Sequence, residues 1–123
     1  MVRTITALLL LVAGVSASRA ASNCEIPPFG LIRDVTVTAA MYVTSGKRCT
    51  IGVANSAGGT LSHEITRHPS NGKVEINGLD IRYTPRAGFV GKDSFSYVRH
   101  ARDFTNNRPI QLPVNMNVTV AAP

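Results

Sequence analysis

A strict two-residue alternation between Ile110 and Val120 constrains the fold of this chain more than any other feature. Every even position in this segment is apolar, and the odd positions carry Gln, Pro, Asn and Thr. Side chains alternate between the two faces of a β-strand, whereas an α-helix repeats every 3.6 residues. The segment therefore predicts a long strand with one buried face. Because Pro113 lacks an amide hydrogen, we expect it at a sheet edge or a bulge.

The same alternation recurs earlier in the chain. Odd positions are mostly apolar from Asp34 to Val43, and shorter alternating runs follow. The side chains predicted to face inward in the shorter runs are Cys49, Ile51 and Val53; Leu61, His63 and Ile65; and Phe95 and Tyr97. Clusters of Gly, Pro, Asn and Ser separate the runs. About seven strands spaced by turns, without helical periodicity after the first twenty residues, predict an all-β sandwich.

A tight hairpin is predicted at Asn77–Gly78, because both residues tolerate positive φ. A two-residue loop at these positions would pair Ile76 with Leu79. It would also set Glu75 opposite Asp80, which places two like charges side by side.

The first twenty residues have the pattern of a secretory signal peptide. Arg3 supplies a positive charge, Ile5–Val15 is apolar, and Ser18 and Ala20 are small residues that a signal peptidase accepts. We predict cleavage after Ala20, which would leave an exported protein in the periplasm or outside the cell. The apolar run holds about eleven residues, fewer than the ~20 that a membrane-spanning helix needs. An uncleaved anchor and lipid attachment at Cys24 are the alternatives.

The remaining chain divides into an N-terminal segment, residues 21–33, and a sandwich, residues 34–123. Two cysteines in a small exported domain predict a disulfide between Cys24 and Cys49, which would tie the segment to an early strand. The bridge would close a loop of about 25 residues. Two cysteines with no histidine nearby are too few ligands for zinc, and a Cys-x-x-Cys redox pair is absent.

The charge of the chain is mildly basic and dispersed. The full sequence has 13 Lys and Arg against 7 Asp and Glu, and removal of Arg3 and Arg19 with the signal would leave 11 against 7. Lys47 and Arg48 are the one adjacent basic pair. Nucleic-acid binders concentrate their positive charge in a patch, so we expect no nucleic-acid partner. Attraction to an acidic polysaccharide and simple solubility are both compatible with this charge.

The segment Tyr83–Tyr97 is predicted to form a strand, a tight corner and a second strand. Pro85 fixes φ and ends the first strand, and the glycines permit backbone shapes closed to other residues. Asp93 should accept hydrogen bonds from nearby amides, and Tyr97 should return its hydroxyl to nearby backbone, as a tyrosine corner does. The residues given these structural roles are the aromatic Tyr83, Phe89, Phe95 and Tyr97, together with Pro85, Gly88, Gly91 and Asp93.

This part of the chain resembles the bacterial cadherin-like and immunoglobulin-like repeat modules. The likeness extends from Glu64 to Val120 and rests on His68–Val74, Tyr83–Pro85 and Gly88–Tyr97. It implies an immunoglobulin-like Greek-key β-sandwich that serves as a spacer, an adhesion module or a carbohydrate-contact module. Such modules usually occur in tandem, whereas a single module follows the predicted signal here.

No arrangement of residues predicts an active site. His63 and His68 would point to opposite faces of a strand, so they cannot hold one metal ion together. No Gly-x-Ser-x-Gly occurs, and Glu75 and Asp80 belong to an exposed hairpin. Asp103, flanked by arginines, is a weak cation ligand. We therefore predict a non-catalytic protein without a cofactor or a metal.

The stretch from Arg99 to Arg108 is the strongest candidate for ligand binding. It is predicted as a loop between two inner strands, with Arg99, Arg102, Phe104 and Arg108 contacting the ligand. Loops at the ends of sandwiches commonly recognise ligands, and arginines grip carboxylates and phosphates well. The alternative is a solvated loop whose Phe104 packs against the core.

These features together predict an exported accessory module that binds a partner or supports structure in the cell envelope. The partner would be an acidic envelope polysaccharide held by the Arg99–Arg108 loop. Alternatively, another envelope protein would receive the final strand, with Pro113 at an edge, as an added strand of its own sheet.

Overall fold

The computed structural model of the chain describes residues 22–52 and 59–123, which form eight β-strands. The strands are β1 (Cys24–Glu25), β2 (Val37–Thr44), β3 (Cys49–Ile51), β4 (Thr60–Arg67), β5 (Gly72–Asn77), β6 (Asp80–Pro85), β7 (Gly91–Arg102) and β8 (Pro109–Ala121). These two ranges contain no helix, so no helix within them could cross a membrane. The all-β prediction is confirmed. The predicted signal peptide, residues 1–20, and Val53 lie outside the described residues.

The strands form two sheets that pack face to face. The large sheet has the order β1-β2-β8-β7-β4, and the small sheet has the order β3-β6-β5. Strands β2 and β8 run parallel, with Val37 opposite Val114, and every other pair is antiparallel. The chain passes repeatedly from one sheet to the other, as the predicted immunoglobulin-like sandwich requires.

The core lies between the sheets and consists of alternate residues from the facing strands. Its most buried side chains are Met41, Cys49, Ile81, Tyr83, Phe95, Tyr97, Val114, Met116, Val118 and Val120. The alternation predicted for β8 is confirmed, although Ile110 and Leu112 at its start are only half-buried. Leu61, in contrast, is exposed although its parity predicts an inward side chain.

The final strand is internal, so the prediction that it forms an edge is wrong. Strand β8 lies between β2 and β7 in the large sheet. The Asp34 N–H donates to the Gln111 carbonyl at 2.9 Å, and the two-residue repeat turns the Pro113 nitrogen to the same side of β8. Pairing with β2 begins only at Val114. Pro113 is tolerated because its missing donor falls just before that ladder, and β8 has no free edge to offer a partner.

Strand β2 begins at Val37, later than the alternation from Asp34 predicts. Asp34 has φ +57°, and an isolated bridge joins Ile32 to Val35 around it. This turn leaves Val35 51% exposed, although its parity matches the buried face of β2.

The β5–β6 hairpin is displaced by one residue from its predicted register. Its two loop residues are Gly78 and Leu79, and Ile76 pairs with Ile81. Glu75 lies opposite Arg82, so opposite charges replace the like pair that Asn77–Gly78 as the loop would produce. This register also buries Tyr83 opposite Val74, whereas Ile76 and Leu79 remain exposed.

The Asp93 carboxylate holds the two sheets together at one end of the core. One oxygen, Oδ1, accepts from the Ser70 N–H at 3.1 Å and the Ser94 N–H at 2.9 Å. The other, Oδ2, accepts from the Asn71 N–H at 3.1 Å and from the Tyr83 hydroxyl at 2.8 Å. Asp93 therefore links β7 of the large sheet to β6 of the small sheet and to the turn between β4 and β5. The predicted role of Asp93 as an acceptor of backbone amides is confirmed.

Tyr83, and not Tyr97, uses its hydroxyl in the fold. The Tyr97 hydroxyl is buried without a hydrogen-bond partner among the described residues, so its predicted bond to nearby backbone is absent. Burial raises the pKa of Tyr97 to about 12. Burial and the hydrogen bond to Asp93 raise the pKa of Tyr83 above its usual value.

Gly72 makes the approach of the Asp93 turn to Tyr83 possible. A Cβ atom at Gly72 would lie 2.7 Å from the Tyr83 ring and 2.7 Å from the Thr84 carbonyl oxygen. Both distances are shorter than a carbon contact allows, so any other residue would displace the ring. The predicted corner glycines, Gly88 and Gly91, have φ of +76° and +141°.

The disulfide between Cys24 and Cys49 is confirmed. It joins β1 of the large sheet to β3 of the small sheet, with the two Cα atoms 5.1 Å apart. The disulfide is a second cross-link between the sheets, in addition to the Asp93 hydrogen bonds, and it holds the N-terminal segment on the sandwich.

Replacement of both cysteines, Cys24→Ser with Cys49→Ser, is expected to lower the free energy of unfolding by about 3 kcal/mol, because the unfolded chain regains the entropy of a 25-residue loop. Urea unfolding followed by circular dichroism measures this change. Reductant should destabilise the wild type by a similar amount and leave the double variant unchanged. Equal stability of oxidised wild type and double variant would contradict the prediction.

Asp93→Ala is expected to lower the free energy of unfolding by about 3 kcal/mol, because two backbone amides of the turn and the Tyr83 hydroxyl lose a charged acceptor. The matched comparison is Tyr83→Phe, which removes one of these hydrogen bonds and should cost about 1 kcal/mol. Urea denaturation of the oxidised proteins measures both. An equal loss in the two variants would show that the amide bonds contribute nothing.

Candidate functional site

The predicted ligand-binding residues lie at one end of the large sheet, but not on a single loop. Strand β7 continues to Arg102, which pairs with Pro109, and Arg99 pairs with Leu112 inside the ladder. The connecting turn is therefore only residues 103–108, and the prediction of a loop beginning at Arg99 is wrong. Because β8 is long, each of these β7 residues has a pairing partner on it, and the ladder extends to the end of β7.

The turn is held in shape by its own side chains. Asp103 Oδ1 accepts from the Thr105 N–H at 2.8 Å, and the Asn107 N–H donates to the Asp103 carbonyl at 2.8 Å. The other Asp103 oxygen forms an ion pair with Arg33 of the N-terminal segment. Both carboxylate oxygens are thus engaged within the chain, and a cation would have to displace Arg33.

A cavity of about 410 Å³ opens between this turn and the end of the large sheet. We call it the arginine cavity. It is lined by Arg33, Thr60, Arg99, Ala101, Arg102, Asp103, Phe104, Thr105, Ile110 and Leu112. The structure thus brings together three of the four predicted contact residues, and Arg108 lies in the same turn outside the lining. No residue of the small sheet is among the described residues that line it.

Phe104 is the most exposed aromatic residue at the cavity. Its side chain is 74% accessible, so the alternative in which it packs on the core is wrong. Beside it the half-buried Ile110 and Leu112 continue the inward face of β8 past the cover of the small sheet. The rim of the arginine cavity is therefore aromatic and its floor is aliphatic.

Gly59 brings the start of β4 against the end of β7 at the cavity. Its carbonyl accepts from the Arg102 N–H at 2.9 Å, and it has φ +76°. A Cβ atom at this position would lie 2.8 Å from the Arg102 carbonyl oxygen. Glycine is thus required both by its backbone conformation and by the close approach.

Arg99 is buried on the inner face of β7 and is bonded to a histidine. Its Nε–H donates to Nε2 of His63 on β4 at 3.1 Å, and the two residues are 8% and 6% exposed. The inward direction predicted for His63 is confirmed. The His63 ring also packs edge-on against Tyr97, with the ring centres 5.7 Å apart.

The bond to Arg99 requires neutral His63, because only an unprotonated Nε2 can accept a hydrogen bond. Burial and the Arg99 charge lower the pKa of His63. Burial also lowers the pKa of Arg99. A neutral imidazole therefore orients a buried cation.

No carboxylate of the chain neutralises Arg99. All seven acidic residues lie in the described ranges, and none forms an ion pair with it. The paired acids are engaged elsewhere: Asp103 with Arg33, Glu75 with Lys73, and Glu64 with His100. In this last pair, His100 Nε2 lies 3.0 Å from a Glu64 carboxylate oxygen.

Two residues of the site, His63 and Arg33, were not predicted to have a role there, for different reasons. His63 carried a usable signal, because its parity predicts an inward side chain, as the parity with Phe95 and Tyr97 does for Arg99. Arg33 carries no such signal, because it enters the site only through the path of the N-terminal segment. In the described ranges, no group of three or more His, Cys, Asp or Glu is placed to hold a metal ion.

Comparison with known families identifies the chain. The model of the bacterial Ig domain matches residues 27–111. The chain belongs to the bacterial Ig domain family. The match spans β2 to β7 and the start of β8, and the resemblance seen in the Tyr83–Tyr97 segment is confirmed. The comparison with curated proteins returns no significant match.

The stability of this bacterial Ig domain should fall as the pH drops from 7 to 5, because unfolded His63 takes up a proton near its usual pKa of 6.5 while the folded state resists protonation. His63→Gln keeps an acceptor for Arg99 and cannot titrate, so its free energy of unfolding should vary less over this range. Urea unfolding at several pH values measures the slopes. The matched control is His68→Gln at an exposed position, and equal slopes for the two variants would contradict the role of buried His63.

Proposed function

We propose that this bacterial Ig domain is an exported, non-catalytic module that binds acidic polysaccharide of the cell envelope at the arginine cavity. One observation carries the proposal: three arginines and an exposed phenylalanine converge on one concave surface at the end of the sandwich. Ends of sandwiches are common recognition surfaces, because rigid strands hold the residues and turns present them.

The charge of this surface favours an anionic ligand. Arg33, Arg99 and Arg102 line the cavity with Asp103 as the one acid in its described lining, and Arg108 extends from the same turn. Arginine forms paired, charge-assisted hydrogen bonds with planar oxyanions such as carboxylates. A cleft with excess charge of one sign also raises the local concentration of the opposite sign.

The shape and the aromatic rim favour a sugar chain over a small ion. A cavity of about 410 Å³ has room for a few sugar-sized units, and Phe104 offers an exposed ring at its mouth. An exposed aromatic provides a large, rigid contact area at a low entropy cost. The partly apolar floor suits the carbon face of a sugar ring.

Export and the absence of catalysis have separate support. A disulfide stabilises a small domain in an oxidising compartment, which favours the periplasm or the cell exterior. Within the described part of the chain, His63 is the one buried histidine, and its hydrogen bond joins it to Arg99 and not to a nucleophilic side chain. The acids nearest the cavity act as structural partners.

The double variant Arg102→Ala with Arg108→Ala should bind immobilised polygalacturonate at least about tenfold more weakly than the oxidised wild type, because one cation of the cavity lining and one of the adjoining turn are lost. Wild-type affinity should fall as salt rises, and the variant should show a weaker salt dependence. Biolayer interferometry at several salt concentrations measures both quantities.

The matched control is Lys47→Ala with Arg48→Ala, which removes the same net charge from the turn between β2 and β3. That turn lies about 35 Å along the sheet from the cavity, at ~3.3 Å per residue. Phe104→Ala should weaken binding without changing the salt dependence. An equal loss in both double variants would show that net charge, and not the arginine cavity, drives binding.

A further inference from the structure

We infer that Arg99 is the residue that recognises one carboxylate of the acidic sugar, with neutral His63 as its positioning residue. The inference rests on the proposed function, since it assigns the ligand group that the arginine cavity selects. It separates Arg99 from the outer arginines, which attract a polyanion over longer distances and remain solvated.

The first argument is the uncompensated charge of Arg99. Burying a cation away from water costs several kcal/mol unless an interaction with a partner offsets that cost. Arg99 is 8% exposed, and none of the seven acids in the chain pairs with it. If Arg99 served only the stability of the core, an apolar side chain at this position would stabilise the domain equally well. A ligand carboxylate would supply the missing partner.

The second argument is the direction of the guanidinium. His63 engages Nε at 3.1 Å, and the two terminal Nη nitrogens have no hydrogen-bond partner among the described residues. Arg99 lines the arginine cavity, and we place those nitrogens within reach of a ligand there.

The third argument is the low polarity on one side of Arg99. It also borders a second cavity, of about 450 Å³, beneath the N-terminal segment, where every other described lining residue is uncharged. That lining consists of Ile26, Pro27, Pro28, Phe29, Leu31, Thr50, Ile51 and Gly52. An ion pair in weakly polar surroundings is stronger than one in bulk water. One carboxylate at Arg99 would thus contribute more affinity than one at the exposed rim.

The planar guanidinium favours a carboxylate in particular. With Nε held by His63, the two Nη groups present parallel N–H bonds that match the two oxygens of a carboxylate. Uronic acids carry such a group on a sugar ring, and the ring can then contact the aliphatic floor at Leu112 and the Phe104 rim. Sulfated sugars share the charge but not the planar shape.

The decisive experiment compares Arg99→Met with the wild type on two probes: oligogalacturonate, and the same oligomers with their carboxyl groups reduced to alcohols. On the acidic probe Arg99→Met should bind at least about tenfold more weakly, which is the loss of about one charge-assisted pair of bonds. On the reduced probe the two proteins should bind alike. The thermal midpoint of Arg99→Met should equal or exceed that of the wild type, because the variant buries no unpaired charge.

Two further variants test the geometry. Arg99→Lys keeps the charge but not the planar pair of N–H donors, so it should lose most of the affinity for the acidic probe. If Arg99→Met fails to fold, Arg99→Lys provides the test. His63→Leu removes the acceptor and should weaken binding, whereas His63→Gln keeps an acceptor and should restore it. Dextran sulfate serves as the comparison polyanion, and stronger binding of it than of oligogalacturonate would overturn the assignment of a carboxylate.

The outcomes separate the two proposals. In one outcome, Arg99→Met and Arg99→Lys bind oligogalacturonate as tightly as the wild type, whereas Arg102→Ala with Arg108→Ala binds it more weakly. This outcome would overturn the role of Arg99 and leave the proposed function standing. A wild-type protein that binds neither the acidic probe nor dextran sulfate would overturn both.

Discussion

The Asp93 carboxylate is the interaction on which the arrangement of the two sheets depends. It accepts hydrogen bonds from β7, from the turn at Ser70 and Asn71, and from Tyr83 of the opposite sheet. Hydrophobic burial has no direction and would tolerate several offsets between the sheets. Hydrogen bonds to one carboxylate select a single offset, and the Cys24–Cys49 bridge restricts it from a second point.

A row of stacked rings connects this anchor to the opposite end of the core. Tyr83 stacks on Phe95 with ring centres 5.8 Å apart, Phe95 lies 6.3 Å from Tyr97, and His63 contacts Tyr97 edge-on. The small sheet has three strands against five, and among the described residues none of its members reaches the arginine cavity. The part of the inward face of the large sheet that borders the arginine cavity is therefore not covered by the small sheet. A residue there, such as Arg99, can be buried in the fold and still reach a ligand.

The sequence predicted the faces of strands well and the neighbours of strands poorly. The inward positions of β7 and β8, the disulfide, and the acceptor role of Asp93 followed from local patterns. The edge position of Pro113, the Asn77–Gly78 loop and the hydroxyl bond of Tyr97 did not occur, because each depends on which strand lies alongside. The residues predicted to contact a ligand lie close together at one end of the large sheet, but the loop predicted for them was too long. The pairing of Arg99 with His63 spans 36 residues and has no local signal.

Alternation of side chains by itself determined that this chain forms ribbons with one buried face, and hence a sandwich. It did so because the period of two follows from the geometry of a single strand. Sheet order, register and the partners of charged residues were decided only by the tertiary structure. Those features depend on which distant segments exclude water together, and a residue such as Arg33 or His63 acquires its place at the site only when that packing is complete.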